Sequence, residues 1–540
     1  KLIVFSNHSD DPKEKLSPTR TYSKLEDLLF DTNLDTPGLW KFQLSGIPIE
    51  TPFIRIIVDP LIPIGNKLIN ASGLVIQTNY GRCIGLLKDW IQNLKPISEL
   101  GYNMVHLPPF QELGLHSHYA IKDQLSISHS LFPDGFPENQ KWSLFKKVCS
   151  NITKELGIVF MTDIVLNHTS VRSLWIRQHP ECGYNEINSP HLNSAIYVDN
   201  LLAKLTEEIE DRIHPDVPPD ISSDNSQRLR NLIRRKLDES ELRRFFIVDS
   251  SEAEKALISD TNNKLPRQVE MLRMRALNYA SPQRLNILMT KGIINNHKCN
   301  IGSMTIDPNY AIALYSAKDP KSRLEEFRLA MDTINSKYNQ HYESVVNEIT
   351  ENVFNTFTYN RYNPEGPKAG PISRRMPIVW RYFEPIETSE GTLHLACNGW
   401  LFGSDPTTNF VAEGTEHYLR RQIIIWGDCI KLRYADDSPF LWDFMSKYVR
   451  SVSEVAAAIR IDNAHSTPIP VAEFFIKEAR KVNPNLYVMA ELFTTTQEDG
   501  FKYINHLGIN SFLKEGCRHL APNRQVEMIR SSGGNHVATV

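Results

Sequence analysis

A near-continuous apolar run, IVFMTDIV, occupies residues 158–165. Such a run is typical of a strand that is buried on both faces of a parallel sheet. Shorter runs of the same kind predict further strands at 74–78, 103–107, 458–462, 486–491 and 509–513. Strands of this type need covering on both sides, which in α/β proteins is done by the helices that connect them.

Segments with helical spacing lie between these strands. Apolar residues recur at three- and four-residue intervals in segments 85–99, 142–156, 441–457 and 470–481, which predicts amphipathic helices. Pro96 falls inside the first of them and is expected to end or kink it. The alternation of strands and helices therefore predicts an α/β fold.

The pattern of predicted strands and helices divides the chain into four parts. Residues 1–71 carry short alternating apolar stretches and predict a small N-terminal β-rich domain. Residues 72–184 form the first part of a barrel, and residues 441–540 its second part. Between them, residues 185–440 read as a large insertion, with charged helical stretches at 226–244 and 322–350 and a Pro- and Gly-rich loop region from about 359 to 415.

The count of strands predicts an incomplete barrel. About six strand–helix units can be read, whereas a TIM-type (β/α)₈ barrel needs eight. The expectation is therefore a (β/α)₈ barrel that is incomplete at the C-terminus, because the chain ends before its closing strands.

Composition excludes several classes of partner. The 540 residues have a formal net charge of -3, which does not fit a nucleic-acid backbone as partner. No apolar run reaches the roughly 20 residues that span a bilayer, and no signal peptide opens the chain. The seven cysteines are scattered, without CxxC pairs, which favours reduced thiols and a cytoplasmic location.

Polar residues cluster at the ends of three predicted strands. In a barrel the carboxyl ends of all strands meet at one face, where active sites lie. Any one carboxylate could instead cap the following helix, but three of them, each close to His or Arg, favour a shared site. The residues are Asp163, His168, Arg460, Asp462, His465 and Glu491.

Asp462 and Glu491 suit glycoside chemistry. A retaining enzyme needs a carboxylate nucleophile and a protonated acid about 5–5.5 Å apart, and adjacent barrel strands can provide that spacing. Arg460 lies two residues before Asp462, so it points to the same face of the strand. A cation there is expected to keep Asp462 ionised, while Glu491 must hold its proton.

Two motifs carry a specific resemblance. DIVLNH at 163–168 resembles the first conserved motif of the α-amylase superfamily, and RIDNAH at 460–465 resembles the second, although His465 sits one residue early for most members. The RxDNxH form and AELFT at 490–494 resemble the eukaryotic glycogen debranching enzymes. Further stretches similar to that family lie at 179–182, 188–192, 398–400, 418–421, 426–428 and 465–468. The resemblance covers residue 72 to the end and is weaker across 195–350.

The resemblance implies an activity and residue roles. In this family the amylase-like part is a 4-α-glucanotransferase, which moves a short maltosyl chain from a branch stub to another chain end by a retaining double displacement. A separate C-terminal domain hydrolyses the remaining 1,6-linked glucose. Carried over, Asp462 is the nucleophile and Glu491 the acid/base. The implied substrate-binding residues are Tyr119, Asp163, His168, Arg460, His465, Asn398, Trp400 and Asp428.

One departure from the family pattern concerns the third acid. Superfamily members use an Asp after the seventh strand, and the expectation is that this residue would lie beyond Val540. The expected partners are glycogen and malto-oligosaccharides, with no nucleic acid and no membrane. No cofactor is expected, and no metal, because no further carboxylates cluster near Asn167.

Two alternatives stay open. An α-amylase-type α-1,4-glucan hydrolase would use the same carboxylates, because only the acceptor differs. A non-catalytic glycogen-binding fragment is favoured by the missing third acid and opposed by the intact Arg460, Asp462 and Glu491.

Overall fold

The computed structural model describes residues 2–7, 17–22, 37–45, 54–114, 117–259, 265–294, 304–316, 320–401, 403–513, 522–523 and 525–526. They form two compact units. The first unit comprises Lys1–Gly183, Gly403–Thr408 and Asp428–Val540, and the second comprises Tyr184–Phe402 and Asn409–Gly427.

The elements follow in chain order. The strands are β1 (Leu2–Asn7), β2 (Ser17–Tyr22), β3 (Gly38–Ser45), β4 (Ile54–Val58), β5 (Ile62–Ile64), β6 (Lys67–Ile69), β7 (Ile76–Thr78), β8 (Met104–Leu107), β9 (Gln111–Leu113), β10 (Ile121–Ile127), β11 (Val159–Ile164), β12 (His168–Ser170), β13 (Ile293–Ile294), β14 (Thr305–Ile306), β15 (Phe383–Thr388), β16 (Gly391–Leu401), β17 (Ile423–Lys431), β18 (Ala458–Ile461), β19 (Tyr487–Glu491) and β20 (Ser511–Leu513). The α-helices are α1 (Gly81–Ile84), α2 (Trp90–Glu99), α3 (Glu138–Leu156), α4 (Leu174–Gln178), α5 (Asn193–Glu210), α6 (Ser226–Asp238), α7 (Ser251–Ser259), α8 (Arg267–Ala276), α9 (Ser281–Ile287), α10 (Pro308–Tyr315), α11 (Pro320–Arg361), α12 (Pro439–Ser453), α13 (Ile469–Val482) and α14 (Gln497–Leu507).

A six-stranded parallel sheet organises the first unit. Its order is β20-β19-β18-β11-β8-β7, and every neighbouring pair is parallel. All six strands predicted from the sequence are present, with ends that differ by at most two residues. The prediction of an α/β fold is therefore confirmed.

Side chains at the start of these strands form an apolar base. Met104, Met161, Ala458 and Met489 are buried in one cluster. Ile62, on the hairpin formed by β5 and β6, packs into the same cluster and is completely buried. Because side chains alternate along a strand, the residues two positions after these methionines and Ala458 point to the same face. That face therefore changes from apolar at the base to polar at the carboxyl ends of the strands.

The helices of the first unit begin and end where the sequence has suitable residues. Helix α3 ends at Gly157, which adopts φ 65° and donates its N–H to Thr153. The left-handed conformation favours glycine there. Helix α2 does not break at Pro96 and continues to Glu99, because a proline in the last turn forfeits only one backbone hydrogen bond.

The N-terminal residues form an antiparallel sheet of order β2-β1-β3-β4. This sheet belongs to the same compact unit as the parallel sheet. The expectation of a separate β-rich domain at residues 1–71 stays a prediction.

The second unit is mostly helical. Among its described residues, one apolar cluster is built around α5, α6 and the second half of α11. Another is built around α7, α10 and the first half of α11. The predicted loop region at 359–415 is wrong in part, because β15 and β16 form a long hairpin there. The predicted insertion at 185–440 differs from the observed division, because residues 403–408 and 428–440 group with the first unit.

No helix among the described residues combines the length and the apolar character that crossing a bilayer would require.

The apolar base of the sheet generates a stability prediction. We expect Ile62→Ala to lower the free energy of unfolding by about 2–5 kcal/mol, because it leaves a cavity in a fully buried cluster. Leu61→Ala is the matched control: Leu61 is 49% exposed, so its change should stay within about 0.5 kcal/mol. Urea unfolding followed by tryptophan fluorescence measures both. Equal losses would mean that the hairpin does not seal the base of the sheet.

Candidate active site

Four neighbouring strands bring polar side chains together at their carboxyl ends. His106 follows Met104 by two residues, Asp163 follows Met161, Arg460 follows Ala458, and Glu491 follows Met489. In the sheet Asp163 pairs with Arg460, and Arg460 pairs with Met489. The register therefore places all four side chains on one face, above the apolar base.

Arg460 is the cation of this cluster. Its Nη1 forms an ion pair with Asp163, and its Nη2 lies 2.7 Å from Glu491 Oε1. Its distance to Asp462 Oδ1 is longer, at 3.9 Å. The guanidinium is 8% exposed and Asp163 is completely buried. Burial acts to lower the pKa of Arg460, but the adjacent carboxylates outweigh this effect and raise the pKa above its usual value.

Asn463 connects the two proposed catalytic carboxylates. Its backbone N–H donates to Glu491 Oε2 at 2.9 Å, and its side-chain amide donates to Asp462 Oδ2 at 2.9 Å. Asn463 adopts φ 47°, in the left-handed region that asparagine tolerates better than most residues. This turn directs the backbone N–H of Asn463 toward Glu491, which lies on the neighbouring strand.

His106 completes the cluster and was missed in the sequence. Its Nε2 lies 2.8 Å from Asp163 Oδ2, and its Nδ1 lies 3.1 Å from Thr78 Oγ1. His106 is a polar residue near the end of a predicted buried strand, and that signal could have identified it. Asp163 thus contacts Arg460 and His106 from the two strands on either side of its own.

The charge balance around Asp462 differs from the expectation. Burial raises the pKa of Asp462 well above its usual range, and the carboxylates of Glu491 and Asp163 raise it further, against the effects of Arg460 and Asn463. Arg460 acts in the predicted direction, because its charge lowers the pKa of Asp462, but burial and the two carboxylates act against it. The guanidinium is shared among three carboxylates and lies closest to the other two.

Tyr119 joins the cluster from the turn between β9 and β10. Its hydroxyl lies 3.4 Å from Arg460 Nη1, and the guanidinium carbon is 5.9 Å from the ring centroid. Burial raises the pKa of the phenol, and Asp163 adds to this effect. The structure thus brings together five of the residues predicted from the sequence: Tyr119, Asp163, Arg460, Asp462 and Glu491.

The two predicted histidines are both buried. His168 is completely buried on β12, and burial followed by the charge of Lys431 lowers its pKa to about 3. His465 is 8% exposed, and burial lowers its pKa as well. Its Nδ1 lies 3.3 Å from the Glu491 carbonyl and 3.4 Å from the Phe493 N–H. The lowered pKa favours the neutral imidazole in both residues, and His465 contacts the loop that follows Glu491.

The three remaining predicted residues lie on strands β16 and β17. Asn398 and Trp400 are on β16 of the second unit, where Asn398 is fully buried and Trp400 is 39% exposed. Asp428 is half-buried on β17, and its carbonyl accepts from Val171 N–H at 3.0 Å. Among the described residues, this hydrogen bond does not connect Asp428 to the carboxylate cluster.

Metal ligands were not predicted for this site. Within the described ranges, no group of three His, Cys, Asp or Glu side chains is arranged to hold a metal ion. The expectation that the chain needs no metal stays a prediction.

Most residues of this site lie within a region that matches a known family model. Residues 67–487 match the model described as "Glycogen debranching enzyme, glucanotransferase domain". The chain belongs to the glycogen debranching enzyme family. Asp163, Arg460 and Asp462 all fall within the match, and Glu491 lies just after its end.

A full-length relative agrees with this assignment. The chain is 31% identical to the glycogen debranching enzyme of Saccharomyces cerevisiae over 566 aligned residues, which cover 99% of the chain. It spans 36% of the length of that relative.

Solved structures give weaker similarities. An α-amylase from Lactobacillus plantarum matches with a TM-score of 0.33 and 11% identity, over 85% of this chain and 59% of its own. An α-amylase from Geobacillus thermoleovorans, complexed with acarbose, matches with a TM-score of 0.29 and 9% identity, over 79% and 45%. Similarity at this level adds nothing to the assignment.

The raised pKa of Asp462 predicts a stability effect with a definite sign. When the pKa of an aspartate is higher in the folded protein than its unfolded value of about 4, the protein loses stability as the pH rises from the unfolded pKa to the folded pKa. The loss is about 1.4 kcal/mol per pKa unit. We therefore expect Asp462→Asn to unfold at a higher temperature than the wild type at pH 7. The difference should vanish as the pH falls toward 4.

The matched control is Asp437→Asn. Asp437 is 61% exposed, and its hydrogen bond from Arg433 lowers its pKa, so this change should not stabilise the protein. Calorimetric unfolding between pH 4 and pH 8 measures both variants. A lower unfolding temperature for Asp462→Asn at pH 7 would contradict the charge balance described for the cluster.

Proposed function

We propose that the chain catalyses 4-α-glucanotransfer in glycogen debranching, by a retaining double displacement. The observation that carries this proposal is the pairing of Asp462 and Glu491, both bound by Asn463 and both in the cluster around Arg460. Retaining chemistry needs two carboxylates about 5–5.5 Å apart, and the shared contacts with Asn463 and Arg460 place both side chains in one cluster. Family membership supports the choice of an α-glucan as substrate.

Asp462 is the proposed nucleophile and Glu491 the proposed acid/base. Asp462 attacks the anomeric carbon of the donor, and Glu491 protonates the departing glycosidic oxygen, which forms a covalent glycosyl-enzyme. In the second step the 4-hydroxyl of an acceptor glucan attacks the anomeric carbon. Its proton passes to Glu491, and the bond to Asp462 breaks.

The first step requires an ionised Asp462 and a protonated Glu491. In the structure Glu491 forms an ion pair with Arg460 and accepts a hydrogen bond from Asn463, while burial and the neighbouring carboxylates raise the pKa of Asp462. We infer that the entering donor oxygen displaces Glu491 from Arg460, so that the guanidinium can turn to Asp462 and Glu491 can take up the proton.

The remaining predicted residues are proposed to position the glucan. Tyr119 supplies an aromatic face beside the reacting sugar, and Asp163 and Arg460 supply polar contacts to its hydroxyls. His168, His465, Asn398, Trp400 and Asp428 stay proposals as sugar contacts, with His465 also supporting the loop after Glu491.

The wider setting is also proposed. The parallel sheet is consistent with a (β/α)₈ barrel, and the two-step debranching of whole family members is proposed for the full-length protein. Reduced thiols at Cys83, Cys149, Cys182 and Cys397 fit a cytoplasmic protein that acts on glycogen and malto-oligosaccharides.

Product analysis tests the proposal. The full-length protein is incubated with a linear malto-oligosaccharide, and the chain lengths of the products are measured. Transfer predicts chains both longer and shorter than the substrate. Only shorter chains would identify a hydrolase, and unchanged substrate with retained binding would identify a glucan-binding protein.

Two variants test the residue roles. Asp462→Asn should lower the rate by at least about 10⁴-fold, because no covalent intermediate can form. Glu491→Gln should lower it by roughly 10²–10⁴-fold for an unactivated leaving group. With a glycosyl fluoride donor, whose leaving group needs little protonation, the first step of Glu491→Gln should recover and that of Asp462→Asn should not. Recovery of both or of neither would contradict the assigned roles.

A further inference from the structure

A short segment of chain, Gly403–Thr408, belongs to the first unit although the residues on either side of it belong to the second. Within this segment the Asp405 carboxylate accepts hydrogen bonds from Thr407, from the N–H at 2.7 Å and from the hydroxyl at 2.5 Å. Its other oxygen accepts a hydrogen bond from the Thr495 hydroxyl. Thr495 lies in residues 492–496, which we call the acid/base loop because it directly follows Glu491.

Asp405 holds this loop as an anion. Partial burial acts to raise the pKa of Asp405, but the hydrogen bonds from Thr407 and Thr495 outweigh it and lower the pKa below its usual value. Hydrogen bonds to an ionised carboxylate are stronger than those between neutral groups. The contact therefore restrains the loop more than an ordinary threonine contact would.

A second contact holds the same loop closer to Glu491. The Phe493 ring stacks on His465 with centroids 5.1 Å apart, and the Phe493 N–H points to His465 Nδ1. His465 is itself held by Tyr503, whose hydroxyl donates to its carbonyl at 2.7 Å. The acid/base loop is thus attached at Phe493 and at Thr495, and Asp405 is the only one of these partners that comes from outside residues 460–513.

The chemistry assigns this loop to the acceptor side. An acid/base residue protonates the oxygen of the departing sugar, and the acceptor later binds where that sugar was, because its hydroxyl returns a proton to the same carboxylate. The loop that continues from Glu491 therefore borders the acceptor position.

We propose that Asp405 is a positioning residue that favours transfer over hydrolysis by fixing the acid/base loop against the acceptor. This inference rests on the proposed glucanotransferase activity. The step concerned forms a bond between the acceptor O4 and the anomeric carbon, breaks the bond to Asp462, and passes the hydroxyl proton to Glu491. When the loop is released, water takes the place of the acceptor: its oxygen bonds to the anomeric carbon, the bond to Asp462 breaks, and one of its protons passes to Glu491.

The test measures how the glycosyl-enzyme divides between transfer to a sugar and hydrolysis by water. Asp405→Ala and Thr495→Val remove the contact, and Thr495→Ser keeps the hydroxyl. Each full-length variant is given a malto-oligosaccharide, and transferred chains are counted against new reducing ends. We expect the transfer-to-hydrolysis ratio to fall roughly tenfold in Asp405→Ala, as the loss of one charge-assisted hydrogen bond implies, to fall in Thr495→Val, and to stay at the wild-type value in Thr495→Ser.

The ratio separates positioning from a general loss of structure. A merely destabilised variant would lose transfer and hydrolysis together, so an unchanged ratio in Asp405→Ala and Thr495→Val would overturn the proposal. Asp437→Ala, which removes a surface carboxylate paired with Arg433, is the matched control and should keep the wild-type ratio. If the wild type produced no chains longer than the substrate, the proposed function would fail. A wild-type transfer-to-hydrolysis ratio in both Asp405→Ala and Thr495→Val would refute only the role of Asp405.

Discussion

The contacts of Arg460 with Asp163 and Glu491 are the interaction on which the site depends. Three carboxylates converge at the ends of adjacent strands, and a buried cluster of like charges is unfavourable unless a cation and hydrogen bonds compensate it. Arg460 can serve both neighbours because its strand lies between theirs and the register pairs it with Asp163. A slip of one residue in that register would turn the side chain to the opposite face.

The same strands carry both the apolar base and the charged cluster. At their start, methionine, alanine and isoleucine side chains form an apolar base, and two residues later the same face carries His106, Asp163, Arg460 and Glu491. The apolar base can offset the free energy that the charged end costs. The raised pKa of Asp462 shows that this cost is not fully compensated locally, which is common where activity requires charges to be close together.

The sequence predicted much of this fold, and its failures have physical causes. Apolar runs identify buried strands well, so all six strands of the parallel sheet were predicted. The motifs around Asp163 and Asp462 predicted residues that the structure brings into one cluster. His106 was missed because one polar residue in a buried strand carries little signal by itself. Asn463 was not singled out, because its role depends on a left-handed backbone conformation. Asp405 could not be found, because its contact with Thr495 links residues 90 positions apart. The β15–β16 hairpin was hidden in a segment whose Pro, Gly and Asn content suggested loops.

The central claim is that Asp462 forms the covalent intermediate while Glu491 exchanges protons. The most direct measurement is to trap that intermediate with a fluorinated maltosyl fluoride that glycosylates the enzyme faster than it is released, and then to locate the label by mass spectrometry of proteolytic peptides. The account predicts a maltosyl label on the carboxylate of Asp462, and no label in Asp462→Asn. A label on Glu491 or Asp163, or turnover without any covalent adduct, would contradict it.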